Sequence, residues 1–197
     1  MQAPLVLTLV FALALLGSLL VQFWLTTRQV RHVAAHRNEV PGAFRSTVTL
    51  HAHQRAADYT LAKARFGLLG TAFGAIVLIG WTLLGGLDAL SATLRSAVQP
   101  HWGDMAYQLA LLAAFAALGG LLELPFDIYG TFRIEQRFGF NRMTPRLYLA
   151  DMAKSLLLAV LIGLPLAAGV LWIMGAAGRW WWLWAWGVWM AFNLAAL

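Results

Sequence analysis

The feature that most constrains this sequence is a series of five apolar runs, each long enough to cross a lipid bilayer as a helix. The runs cover about residues 4–25, 66–87, 105–124, 155–174 and 180–197. A helix rises about 1.5 Å per residue, so about 20 residues cross a hydrocarbon core about 30 Å thick. Only 11% of the residues are charged, whereas a soluble domain is about a quarter charged. We predict an all-α, polytopic membrane helical bundle with about five transmembrane helices, forming one membrane domain over residues 1–197.

The first run is predicted to be a retained span and not a cleaved signal peptide. A signal peptide has a basic segment before its apolar run and a small-residue cleavage site after it. Here no basic residue precedes the run, and Arg28 and Arg31 follow it.

The distribution of basic residues predicts the orientation of the bundle. Twelve of the 14 Lys and Arg residues lie in residues 28–65 or 133–154, and only Arg95 and Arg179 lie in the alternate connections. Cytosolic segments of membrane proteins carry the excess of basic residues. We therefore predict an exterior N-terminus and two cytosolic polar segments. The net charge of +6 is explained by this topology, so no nucleic-acid partner is predicted.

Residues 123–147 are predicted to form a cytosolic helical hairpin that faces another protein region. They hold seven of the chain's 22 charged residues between two apolar runs. Gly139 suits a left-handed residue at the end of a helix, and Thr144 with Pro145 suits the start of the next helix.

Six residues of this hairpin are candidates for lining a chamber or docking a further domain. Glu123 is the most deeply embedded acid, and it either faces a polar cavity or pairs with Arg133 at the interface. The sequence does not decide whether the other polar groups line a pocket or hold the hairpin in place. The candidates are Glu123, Asp127, Arg133, Glu135, Gly139 and Asn141.

No catalytic residue and no metal ligand is predicted in this chain. His32 and His36 have the spacing of two zinc ligands on a helix, but the glutamate of an HExxH motif is missing and arginines surround them. His51 and His53 are two apart and would point to different helix faces. The chain has no cysteine, and neither a Ser/His/Asp set nor a phosphate-binding loop is present.

Several short pieces of sequence, in order along nearly the whole chain, resemble one known family. They are Leu124-Pro125-Phe126, Tyr129, Thr131-Phe132, Ile134-Glu135, Gly139-Phe140-Asn141 and Thr144-Pro145, together with Arg28-Gln29, Val40-Pro41, Phe44, His53-Gln54 and residues 56–60. The pattern resembles the N-terminal membrane domain of type 1 CAAX prenyl proteases, which are integral-membrane zinc metalloendopeptidases.

The resemblance implies that this chain and a catalytic region have different roles. In the family, seven membrane helices surround a chamber, and zinc is held after the fifth span by an HExxH helix and a more distal glutamate. This chain would supply the chamber wall, dock the catalytic region of the same polypeptide, bind no metal itself and be inactive alone. Zinc is expected in the full-length enzyme, whose substrate is a peptide or protein, prenylated if the source is eukaryotic.

The C-terminal residues and the composition of the chain bear on the length and the source of the protein. The absence of an interfacial anchor before Leu197 predicts that the chain is the front part of a longer polypeptide. Twelve Arg against two Lys in a chain rich in Ala and Gly favours a bacterial inner membrane over the endoplasmic reticulum.

The alternatives are a non-catalytic membrane scaffold descended from the family and a small transporter. A transporter would have inverted repeats and polar groups within its spans, and the sequence indicates neither.

Overall fold

The computed structural model describes residues 2–195, and within them the chain is helical without β-strands. This confirms the prediction of an all-α membrane bundle. Residues 196 and 197, the end of the fifth predicted span, lie outside the described residues. The helices are α1 (Gln2–Ala35), α2 (Leu50–Thr82), α3 (Gly86–Tyr129), α4 (Gln136–Phe138), α5 (Pro145–Leu158), α6 (Leu164–Ala176) and α7 (Trp181–Ala195).

Four helical stretches among the described residues are long and apolar enough to cross a membrane. They are Leu5–Ala35, Leu50–Thr82, Gly86–Phe138 and Pro145–Ala176. Each of these four stretches contains most of the residues of the corresponding predicted span, from the first to the fourth. The described part of the fifth predicted span is α7, which has 15 residues.

The structure locates the helix boundaries more closely than the apolar runs do. α2 begins at Leu50, because the side chain of Thr49 accepts a hydrogen bond from the backbone N–H of Ala52 and caps the helix. The connection predicted over residues 88–104 is helical and is interrupted at Gly103, which has a φ of 78°. α3 continues through Pro125 to Tyr129 and passes into a π-helical turn over Gly130–Glu135.

The described residues divide into two units. The first comprises the residues up to Asp88 together with Leu121–Arg142, and the second comprises Ala89–Gly120 together with the residues from Met143 onward. In the first unit, α2 packs against the end of α3 through aromatic rings. The ring centroid of Phe126 lies 4.7 Å from that of Phe73 and 5.7 Å from that of Phe66.

Gly70 faces the contact between these two helices. A Cβ atom at Gly70 would lie 4.0 Å from the ring of Phe126, an ordinary van der Waals distance, whereas a Cβ at Gly74 would meet nothing within 4 Å. Gly70, and not Gly74 one turn further on, therefore lies at the helix contact.

In the second unit, the fourth predicted span is interrupted just before Pro165. A π-helical turn over Ala159–Gly163 separates α5 from α6, and Pro165 lies in the first turn of α6. Proline has no backbone N–H and its ring crowds the carbonyl four residues earlier, so the regular helix is broken just before it.

Candidate functional site

The candidate site lies in the first unit, where residues 135–141 contact the N-terminal half of α2. The chain leaves α4 through Gly139, which has a left-handed φ of 77°. The backbone N–H of Phe140 donates to the carbonyl of Glu135 at 2.9 Å, and that of Gly139 donates to the carbonyl of Gln136 at 3.1 Å. These bonds form the Schellman cap, which confirms the prediction of a left-handed residue at Gly139.

The start of α5, where the predicted turn ends, is also determined by neighbouring residues. Thr144 caps α5 by accepting a hydrogen bond from the N–H of Leu147 at 3.2 Å, and Pro145 occupies the first turn. Residues 139–144 thus separate two helices, as the sequence predicts.

Arg55 of α2 joins the end of α4 by one hydrogen bond. Its Nη2 donates to the carbonyl oxygen of Phe138 at 2.7 Å. A Cβ atom at Gly139 would lie only 2.8 Å from the same Nη2. A side chain at position 139 would therefore adopt a strained φ, and it would also shift the flexible end of Arg55.

An aromatic contact supports this hydrogen bond. The ring of Tyr59 lies 4.6 Å from that of Phe140 and 5.5 Å from that of Phe138, measured between centroids. Tyr59 is one turn beyond Arg55, so both side chains reach the residues on either side of Gly139 from one face of α2.

The third contact is electrostatic. Lys63 lies 4.0 Å from a carboxylate oxygen of Glu135 and donates to the hydroxyl of Tyr59 at 3.3 Å. The carbonyl of Glu135 also accepts from the N–H of Asn141 at 3.3 Å. The structure therefore brings together three of the six candidate residues, namely Glu135, Gly139 and Asn141.

The remaining candidates do not join this cluster. Glu123 and Asp127 are exposed on α3, and the ion pairs among the described residues do not include one between Glu123 and Arg133. Ten residues of continuous helix separate those two side chains by about 15 Å, which is too far for an ion pair. The interpretation of Glu123 and Arg133 as an interfacial pair is therefore wrong. Arg133 is exposed and lines a groove beside α2.

The connection between α1 and α2 is held by a bidentate ion pair that the sequence analysis missed. The Nε and Nη2 atoms of Arg37 donate to the two carboxylate oxygens of Asp58 at 2.6 and 2.8 Å. The hydrogen bond with Asp58, and then the charge of that carboxylate, raise the pKa of Arg37 above its usual value. The only sequence signal was that Asp58 lies in the segment 56–60 that carries the family resemblance.

Histidines gather near the same connection but do not form a metal site. His32, His36, His53 and Glu39 line a cavity of about 580 Å³. However, Nδ1 of His36 lies 2.9 Å from the carbonyl of His32, and Nε2 of His53 lies 3.0 Å from the carbonyl of His36. Within residues 2–195, no three His, Asp or Glu side chains are placed to hold a metal ion. These residues do not fit a catalytic zinc, and the prediction that this chain binds no metal stays a prediction.

Comparison with known proteins identifies one family. A family model described as CAAX prenyl protease N-terminal, five membrane helices, matches residues 29–197. CAAX prenyl protease 1 of Saccharomyces cerevisiae is 30% identical over 150 residues, covering 73% of this chain and 33% of that protein. The CAAX prenyl protease 1 homolog of Mus musculus is 28% identical over 188 residues, covering 90% of this chain and 38% of that protein.

A solved structure shares the fold. The crystal structure of S. mikatae Ste24p matches with a TM-score of 0.83 at 21% identity, covering 92% of this chain and 43% of that chain. The matched region thus spans 33% and 38% of the length of the two curated relatives, and both are longer proteins.

Proposed function

This chain belongs to the family of CAAX prenyl protease N-terminal membrane domains, and from that premise we propose that it is the membrane-embedded front part of a zinc metalloendopeptidase. Its helices would form part of the wall of an intramembrane chamber. Residues 123–147 would dock the catalytic region of the same polypeptide. In this proposal the N-terminus is exterior and both large polar segments are cytosolic, as the distribution of basic residues predicts.

The observation that carries the proposal is the set of contacts joining residues 135–140 to α2. The hydrogen bond from Arg55 to Phe138, the packing of Tyr59 on Phe140 and the approach of Lys63 to Glu135 fix one polar segment against a membrane helix. A further domain can be positioned accurately only on a surface that is itself held in place. These contacts support the docking role because they give the segment a defined position.

No step of peptide hydrolysis is assigned to residues of this chain. The zinc expected of the full-length enzyme would be held by an HExxH helix and a distal glutamate outside residues 1–197. In the proposal this chain positions the catalytic region and encloses part of the chamber, and it would be inactive alone.

The substrate of the full-length enzyme is proposed from the family to which the chain belongs. In a eukaryote it would be the C-terminus of a prenylated protein, from which the enzyme removes the last three residues. In a bacterium we propose membrane or misfolded proteins instead. The composition of the chain favours this second setting, in a bacterial inner membrane, and the relatives named above come from eukaryotes.

The longest natural product of the gene tests the proposal directly. It would be purified in detergent and assayed for bound zinc and for cleavage of a prenylated peptide and of an unprenylated membrane protein. We expect about one zinc per chain and hydrolysis that stops when a chelator removes the metal. A product without an HExxH motif, zinc or peptidase activity would contradict the proposal and favour a non-catalytic scaffold.

A further inference from the structure

A groove of about 720 Å³ in the first unit concentrates positive charge beside apolar side chains. Arg65, Arg133 and Arg137 line it, together with Phe66, Leu69 and Tyr129. One wall comes from α2 and the other from the end of α3, the π-helical turn and α4. On α2 the lining residues recur at helical spacing, so that they share one face of the helix.

The three arginines are exposed and none forms one of the described ion pairs, although the charge of Arg137 also acts on the carboxylate of Asp58. The described ion pairs use Arg37, Arg45, Lys63 and Lys154 instead. Glu135, which lies between Arg133 and Arg137 in sequence, approaches Lys63 at 4.0 Å and does not line the groove. The groove is therefore lined by three positive charges and no acid.

The apolar runs predicted from the sequence place the groove at the membrane boundary. Arg65 is the last charged residue before the charge-free run that begins at Phe66, and Leu69 is 63% exposed one turn further into that run. Tyr129, which is 51% exposed, has its ring centroid 5.0 Å from that of Phe66. Tyrosine side chains of this kind concentrate at the depth of lipid headgroups.

We propose that this groove binds the anionic headgroup of a phospholipid. The three guanidinium groups would hold the phosphate, and the start of an acyl chain would lie along Phe66 and Leu69. Guanidinium groups pair well with phosphate oxygens, and basic pockets beside membrane helices on the cytosolic side suit anionic headgroups. A free phosphate would contact the arginines but not the apolar wall, whereas a phospholipid would contact both.

The experiment compares two variants of the full-length protein, purified in detergent, that lose the same charge. The first is the triple variant Arg65→Gln, Arg133→Gln, Arg137→Gln, and the second is Arg28→Gln, Arg31→Gln, Arg142→Gln. The second set removes three exposed arginines, predicted to be on the same side of the membrane, that do not line the groove. Thermal stability and native mass spectrometry would be measured with phosphatidylglycerol, phosphatidylcholine, inorganic phosphate and a farnesylated peptide with a free carboxylate.

We expect phosphatidylglycerol to bind and stabilise the unmodified chain more than the other three probes do. The groove variant should lose at least about tenfold in affinity for phosphatidylglycerol, because each basic residue near an anionic lipid contributes about a fivefold factor. The second variant should keep most of that affinity.

Three outcomes would overturn the proposal. Equal losses in the two variants would mean that diffuse charge attracts the lipid. Equal stabilisation by inorganic phosphate would mean that the apolar wall contributes nothing. Preferential binding of the farnesylated peptide would assign the groove to a substrate instead. If the groove variant does not fold, the single variants Arg65→Gln and Arg133→Gln provide the same comparison.

Discussion

Arg55 donates a hydrogen bond from Nη2 to the carbonyl oxygen of Phe138 at 2.7 Å, which joins two residues 83 positions apart in sequence. The acceptor carbonyl belongs to the residue before Gly139, whose left-handed φ of 77° turns the chain out of α4. The local conformation at Gly139 and the long-range bond from Arg55 therefore depend on each other.

Gly139→Val should weaken the candidate docking site without preventing membrane insertion. A left-handed φ costs a residue with a side chain about 1–2 kcal/mol, and a branched Cβ is the least tolerant of it. The new Cβ would also displace the Nη2 of Arg55, which lies 2.8 Å from its position. Membrane fractionation should be unchanged, whereas the midpoint of unfolding in detergent and the activity of the full-length enzyme should fall.

A double variant separates the two causes. In an Arg55→Ala background, Gly139→Ala should cost less than it does in the unmodified chain, because the contact with Nη2 has already gone. Equal costs in the two backgrounds would show that Arg55 does not approach Gly139 in the protein.

Asp58→Asn should loosen the connection between α1 and α2. It removes the charge from a bidentate pair in which Arg37 holds both carboxylate oxygens, and a neutral amide accepts through one oxygen only. We expect faster hydrogen–deuterium exchange in residues 36–49 and a lower midpoint of thermal unfolding. The control is Glu39→Gln, because the pair of Glu39 and Arg45 is longer, at 3.3 Å, and more exposed, with 71% and 64% of the side chains accessible, and because Arg45 keeps its hydrogen bond to the carbonyl of Val40. A pair of that kind contributes little, so equal effects of the two variants would contradict the prediction.

Gly70→Leu should disturb the packing of α2 on the end of α3, whereas Gly74→Leu should not. A leucine at position 70 would press into the ring of Phe126, while position 74 opens onto free space. Both changes add the same helix propensity, so their difference reports the packing alone. Overpacking of this kind costs about 1–3 kcal/mol, and thermal unfolding in detergent would measure it. Equal stability of the two variants would mean that Gly70 does not lie at a helix contact.

The sequence predicts most of the fold because its signals are local. Apolar runs of about 20 residues specify membrane helices without reference to the rest of the chain. The turn over residues 139–144 is likewise encoded by Gly139, Thr144 and Pro145 themselves. The start of α2 is not apparent from the pattern of residues, because the residues from Phe44 onward also suit a helix, whereas the side chain of Thr49 decides where the first turn is capped.

The contacts of the candidate site could not be predicted in the same way. Which side chain of α2 meets Phe138 depends on the rotation and height of two helices whose residues are far apart in sequence. Arg55 lies in no motif, and Tyr59 is marked only by its place in the segment 56–60 that carries the family resemblance, so their contacts with residues 138–140 emerge only from the structure. The expected ion pair of Glu123 and Arg133 is not formed, because the helix continues through Pro125 and keeps the two side chains apart.

Single cysteines provide a test of the predicted orientation, since the chain has none of its own. Gln136→Cys lies in α4, is exposed and should react with a membrane-impermeant maleimide only after the cytosolic side is opened. Arg179→Cys lies in the short turn over Gly178–Trp180 and should react from the exterior in intact cells. Leu112→Cys should stay unreactive in both conditions, because it is 48% exposed in the structure but lies within the third apolar run and would face lipid. Labelling of position 136 in intact cells would reverse the predicted orientation and place residues 123–147 on the side opposite the proposed catalytic region.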